Sequence, residues 1–333
     1  MLALVGIGLF LVVYMFWSRK PKWNPAAKHC IVTGGSSGLG LAFATLLVKN
    51  GAHVAIIARD KDKLAKAIEQ LEAARVNPSQ IITSHSFSLS SLAEATEAIK
   101  SACTPFDGRA PDALFTCAGV ATPGYFIEET EESMLRGMQN AYWIQAWPAL
   151  ATSRLIAAQG HQNTRIVFVG STLGYMSFVG YASYSPAKHA LVGLTETLRS
   201  ELALYGATVQ LFVPCTMFSP GYENENKSKP AITKKIEETD GGLTPEQAAV
   251  RMLKGVQSNN AHFTADIITE FFRVSTRGSA PNNNVFIDAL FYLIAWPGVP
   301  IWRYSTEKEV RNGREAHLAE MRAKGLVKDP SKS

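Results

Sequence analysis

The chain has 333 residues, 47% of them apolar and 18% charged, enough to bury one large core as a single domain with membrane-facing additions. Its net charge is +5, but the excess gathers at Arg19, Lys20 and Lys22 and in the last turns rather than in a basic patch, which excludes nucleic acid as a partner. Cys30, Cys103, Cys117 and Cys215 form no CxxC pair, which argues against a zinc site or a disulfide scaffold and for packed thiols in a reducing compartment.

In chain order, Leu2 to Trp17 is an unbroken apolar run, about 24 Å long as a helix. That suits a thin bilayer such as that of the endoplasmic reticulum. Arg19, Lys20 and Lys22 follow at once, which by the positive-inside rule puts the rest of the chain in the cytosol. A cleaved signal peptide would need a basic start and a small-residue cleavage site, and neither is present. Residues 1–18 therefore read as a transmembrane anchor and 19–27, with Pro21 and Pro25, as a linker.

From His29 strands and helices alternate. Strands are predicted at His29 to Thr33, Ala52 to Ala58, Ile81 to Phe87, Ala113 to Cys117, Ile166 to Gly170, Val209 to Val213 and, more weakly, Ala261 to Thr264. An amphipathic helix from Leu39 to Asn50 and a charged one from Asp60 to Arg75 separate the first three strands. The pattern predicts an α/β fold, a doubly wound parallel seven-stranded sheet of Rossmann type, over residues 28–280. Two stretches break it. Met217 to Gly242 is polar and rich in Pro, Gly, Asn and Lys, and reads as a long loop ending at the capping box Thr244-Pro245-Glu246-Gln247. Val285 to Trp302 is almost wholly apolar, its helical part too short to span a bilayer comfortably; it fits either a core helix at a dimer interface or an interfacial membrane segment, placed within 281–304. Residues 305–333 form a charged tail.

The chemistry lies in two segments. Thr33 to Gly40 follows an apolar strand and opens a helix, the setting of a phosphate-binding turn. Gly34, Gly38 and Gly40 remove side chains where backbone meets a pyrophosphate, and the helix N-terminus supplies N–H groups and a positive dipole end. The second strand ends Ile57-Ala58-Arg59 with no carboxylate to bind ribose hydroxyls. Arg59, with Ser36, Ser37 and Lys63 nearby, can grip a 2′-phosphate, which points to NADPH; the alternative is a solvated Arg59 paired with Asp60. Tyr184 and Lys188 are four residues apart and share a helix face. An ammonium beside the phenol favours phenolate and should lower the tyrosine pKa. Tyr184 could then protonate a carbonyl oxygen as hydride arrives at carbon, Lys188 could also reach the nicotinamide ribose, and Ser171 could hold the same oxygen. Asn140, on a long helix from about Glu128, could hold a water that relays protons to Lys188. No metal spacing is present among the histidines.

These residues resemble the short-chain dehydrogenase/reductase family from about Lys28 to Thr264: Thr33 to Gly40 matches its TGxxxGxG loop, and Asn140, Ser171, Tyr184 and Lys188 its catalytic tetrad. Cys117-Ala118-Gly119 stands where the family has Asn-Ala-Gly, so support for the central strand must come from elsewhere. Within the family, the N-terminal run, the Cys-Ala-Gly variant and Ser219 to Pro230 resemble the 3-ketodihydrosphingosine reductases. That resemblance implies NADPH-dependent reduction of 3-ketosphinganine at the cytosolic face of the endoplasmic reticulum membrane, with Glu223 or Glu225 meeting the substrate ammonium or both being solvated loop charges. It leaves room for a homodimer or homotetramer. The alternatives are a membrane-bound reductase of another lipid ketone (3-ketoacyl thioester, steroid or retinoid) and a non-catalytic membrane scaffold.

Overall fold

The computed structural model describes residues 22–160, 163–238 and 241–328. The anchor expected over residues 1–18 lies outside them. Seven strands form one parallel sheet: β1 (His29–Thr33), β2 (His53–Ala58), β3 (Ile82–Ser86), β4 (Ala113–Thr116), β5 (Arg165–Val169), β6 (Thr208–Val213) and β7 (His262–Thr264), in the order β3-β2-β1-β4-β5-β6-β7. Every residue of β1, β4 and β5 is buried, as expected of strands covered on both faces. Alternate residues feed two cores. Val32, Ile56 and Phe115 face one with Phe43 and Leu47, while Ile31, Ile57 and Leu114 face the other with Ile99 and Phe168.

The helices that cover the sheet are α1 (Gly38–Lys49), α2 (Lys61–Ala73), α3 (Leu92–Cys103), α4 (Glu131–Met138), α5 (Ile144–Gln159), α6 (Ser185–Glu201), α7 (Pro220–Ser228), α8 (Ala231–Glu237), α9 (Pro245–Gln257), α10 (Ile267–Thr276), α11 (Val285–Asn312) and α12 (Arg314–Ala323). Strand order reverses between β1 and β4, so the crevice at the carboxyl ends of these strands is where such a sheet binds its ligand.

Three expectations are corrected. The polar stretch Met217 to Gly242 is not one long loop: Ser219 caps α7 by accepting from Tyr222 N, Pro220 takes the first turn, and α8 follows after Pro230. The helix expected from about Glu128 is interrupted: a π turn over Gln139–Trp143 joins α4 to α5. The helix that carries the apolar segment does not end near Trp302 but runs on into the charged stretch after it. α11 continues through Pro297 and Pro300 for 28 residues, about 42 Å.

Candidate active site

Gly34 has φ +67°, and a Cβ there would lie 2.8 Å from Ala118 Cα. A Cβ on Gly40 would lie 2.3 Å from the Gly34 carbonyl oxygen. The loop is thus folded onto itself and onto the end of β4, a closeness that only glycine permits. It delivers α1 into the crevice with an open N-terminus. Ser37 is the N-cap but makes no side-chain cap bond, and the first turn carries no acid. Unpaired N–H groups without a carboxylate competitor are what a pyrophosphate requires. Ser36, Ser37, Gly38, Arg59 and Lys63 line the same cleft, whose volume is 1280 Å³. These residues fit a nicotinamide dinucleotide.

Asp60 is committed elsewhere. Its carboxylate caps α2, accepting from Asp62 N at 3.1 Å and Lys63 N at 3.0 Å, and Lys63 Nζ lies 3.8 Å from its other oxygen. Arg59 is exposed at the cleft. No ion pair joins it to Asp60 among the described residues.

The reacting end is built from β5 and α6. Ser171 follows β5 and caps a short 3₁₀ turn, its Oγ accepting from Leu173 N at 3.2 Å. That bond fixes the hydroxyl and leaves its hydrogen for the Tyr184 phenol, to which Ser171 is hydrogen-bonded. Tyr184 stands at the N-cap of α6, half-buried in the cleft wall. Lys188 is one turn on, its Nζ 5.5 Å from the Tyr184 ring centroid and donating to Val169 O at 2.9 Å. Burial pulls the Lys188 ammonium down to about 7. The expected lowering of the Tyr184 pKa by Lys188 is corrected. Burial, aided by the Glu225 carboxylate, pushes the phenol up, and only the Ser171 hydrogen bond pulls it down. Tyr184 is therefore held as the protonated phenol, the form that can donate.

Asn140 sits in the π turn, a device frequent at functional sites. Its backbone carbonyl accepts from Val120 N at 3.1 Å and lies 3.6 Å from the Cβ position of Gly119; Lys188 Nζ is 3.8 Å from the same point. The structure thus brings the Asn140 main chain and Lys188 together beside Gly119.

The replacement for the missing family asparagine is Gln145, which sequence reasoning overlooked. Cys117 N turns back to Phe115 O, so β4 ends one residue before β5 does. The Gln145 side chain fills the missing rung: Oε1 accepts from Val169 N at 3.1 Å and Thr116 Oγ1 at 2.8 Å, and Nε2 donates to Val169 O at 2.9 Å. Cys117 itself is an inert thiol, its pKa pushed up to about 12 by burial. A second overlooked group lies across the cleft on α7 and α8. Tyr181 OH meets Glu225 Oε1 and Glu237 Oε1, each at 2.6 Å, and buried Lys229 bridges both carboxylates, 3.2 Å from Glu225. Burial alone would pull the Lys229 pKa down, but the bond to Glu237 and the field of Glu225 outweigh it and hold the ammonium charged.

A family model for short chain dehydrogenase matches residues 28–230. The chain belongs to the short-chain dehydrogenase family. It is an oxidoreductase of that family, with the family's nicotinamide-binding fold. It is 41% identical over 323 residues to a 3-ketodihydrosphingosine reductase of Cryptococcus neoformans, covering 97% of this chain and 96% of the relative. It is 33% identical over 285 residues to a 3-dehydrosphinganine reductase of Danio rerio and 32% over 285 residues to a 3-ketodihydrosphingosine reductase of Bos taurus, covering 84% of both chains in each case. Among solved structures, a short-chain dehydrogenase/reductase from Burkholderia phymatum in complex with NAD superimposes with a TM-score of 0.67 at 20% identity, covering 77% of this chain and 95% of its own.

Proposed function

We propose that this enzyme reduces 3-ketosphinganine to sphinganine with NADPH at a membrane surface. The observation that carries the reading is that one cleft runs from the glycine loop, past Ser171, Tyr184 and Lys188, to Ile268, Phe272 and Trp302 beside the apolar α11. A polar dinucleotide and a long alkyl ketone each find matching walls there. Relatives named for this reaction, similar along nearly the whole chain, favour it over other lipid ketones. The protonated acid at the reacting end argues against a non-catalytic scaffold.

When bound, the dinucleotide supplies hydride to the carbonyl carbon. Ser171 and Tyr184 hold the ketone oxygen between two hydroxyls, and Tyr184 gives it the proton that completes the alcohol. Lys188 recharges Tyr184 through a water between its ammonium and the Asn140 carbonyl. Arg59 would hold the 2′-phosphate, which would select NADPH over NADH.

α11 is the one helix among the described residues long and apolar enough to cross a membrane, with mean hydropathy 1.6 over its most apolar 18 residues. Phe286, Leu290, Leu293 and Trp296 are exposed on it, and Ile267 and Ile268 continue the apolar surface onto α10. We read this surface as resting in the cytosolic leaflet of the endoplasmic reticulum, where the substrate dissolves. The test is turnover by detergent-solubilised protein of 3-ketosphinganine with NADPH and with NADH, beside a 3-ketoacyl thioester. NADPH-dependent sphinganine formation is expected. Turnover of the thioester alone would refute the substrate.

A further inference from the structure

The group on α7 and α8 carries more charge than a structural lock needs. Two carboxyl groups, Glu225 and Glu237, share one ammonium, that of Lys229, whose side chain has no exposed surface, and one phenol hydrogen, that of Tyr181. The cation on the neighbouring wall, Lys235, is paired instead with Glu309 of α11. The two carboxylates are not equivalent. Both Glu237 oxygens are used, Oε1 by Tyr181 and Oε2 by Lys229. In Glu225, Oε1 takes both Tyr181 and Lys229, and Oε2 receives no hydrogen bond among the described residues. Glu225 lines the cleft; Glu223, the other sequence candidate, is exposed and does not line it.

Its position relative to the chemistry is set through Tyr181, whose ring centroid is 6.2 Å from that of Tyr184. In a 2-amino-3-ketone the nitrogen sits on the carbon bonded to the ketone carbon. Wherever Tyr184 and Ser171 hold the oxygen, the ammonium falls within a few ångströms of it. The Glu225 field already reaches the Tyr184 phenol. The cluster's bond to Lys229 shows that it can hold an alkylammonium away from bulk water.

We propose that Glu225, oriented by Tyr181 and Lys229, is the carboxylate that recognises an ammonium group on the carbon next to the reacting ketone. This rests on the amino-ketone reading of the substrate. It makes Glu225 a specificity residue: an uncharged ketone leaves Oε2 without a partner.

The test compares kcat/KM for 3-ketosphinganine with that for the same ketone bearing hydrogen in place of the 2-amino group, in wild type and in Glu225→Gln, with NADPH affinity followed by fluorescence. Wild type is expected to prefer the amino ketone by about 30-fold, the size of one charge-assisted hydrogen bond. Glu225→Gln should lose the discrimination, its ratio of kcat/KM for the amino ketone over the other falling from about 30 to within about threefold of unity, and bind NADPH as before. The wild-type preference needs no variant, so it stands even if Glu225→Gln misfolds. Equal wild-type turnover of both ketones, or a preference untouched by Glu225→Gln, overturns the recognition and leaves the reductase reading intact. A wild type that reduces neither ketone overturns both.

Discussion

Replacing Gln145 with Met keeps the volume of the side chain and removes its amide from the end of the sheet. Three bonds go. The Thr116 hydroxyl still has Val167 O at 3.3 Å, and Val169 O still has Lys188 Nζ at 2.9 Å. Val169 N faces the end of β4, whose last pairing is Thr116 with Phe168, and Gln145 is its one side-chain partner among the described residues. Losing that bond costs about 0.5–1.5 kcal/mol, and the two other lost bonds add about 1 kcal/mol. The sum, about 1.5–2.5 kcal/mol, corresponds to a Tm lower by roughly 3–10 °C for a domain of this size. Calorimetry of the purified variant reads this directly. Activity should also fall, by about tenfold, since Val169 O is the anchor of Lys188 and a 1 Å displacement at a reacting group is expensive. A Tm within about 1 °C of wild type would refute the reasoning, because it would mean that the Val169 N–H does not depend on Gln145.

Tyr184→Phe should reduce ketone turnover by about 10³-fold while NADPH still binds, as measured by single-turnover absorbance and by fluorescence titration. Arg59→Leu should raise the KM for NADPH by about 10–100-fold and leave that for NADH within about twofold, which erases the discrimination. In the cofactor-free protein Lys188 should titrate near 7 rather than at its ordinary 10.5, detectable by NMR of the labelled side chain. The sign follows from linkage. The unfolded chain takes up this proton first, so the Lys188 contribution to stability is full above about pH 10.5 and is lost as pH falls toward about 7. Lys188→Met should remove that slope from denaturant unfolding measured across the window.

The sheet and the glycine loop were legible because their signals are local: runs of β-branched residues, a Gly-rich turn, and helices at regular intervals. The Tyr184, Lys188 and Ser171 constellation was legible from its spacing and its place after a strand. What escaped is what depends on partners distant in sequence. The sign of the Tyr184 shift is set by burial and by Glu225, 41 residues on, not by the lysine one turn away. Gln145 is one polar residue on a largely apolar helix, and its use is visible only once β4 is seen to stop short of β5. The segment after Met217 was misread on composition; Ser219-Pro220, a cap followed by a first-turn proline, was the local sign that it is helical.

Asp288 is the residue that most strongly argues against a free transmembrane span in α11, and its environment says how the helix is used. Its carboxylate is buried, 2.7 Å from Arg273 of α10 and accepting from Asn283 N at 3.0 Å. Arg273 is bound in turn by Glu270 at 2.6 Å. The acid is therefore spent on fastening α11 to the catalytic domain, and Trp302 repeats the attachment further along, packing edge-on against Phe272 at 4.9 Å. Breaking a buried pair by removing one partner costs about 3–5 kcal/mol, so the attachment is firm. A helix tied at both places cannot leave the domain to cross a bilayer alone, yet its outward face remains apolar. The membrane-bound enzyme proposed above would therefore hold this helix along the membrane surface with the domain above it. The cleft wall at Ile268, Phe272 and Trp302 would then meet the lipid. On that proposal an alkyl chain could stay in hydrocarbon while its polar end reaches Tyr184.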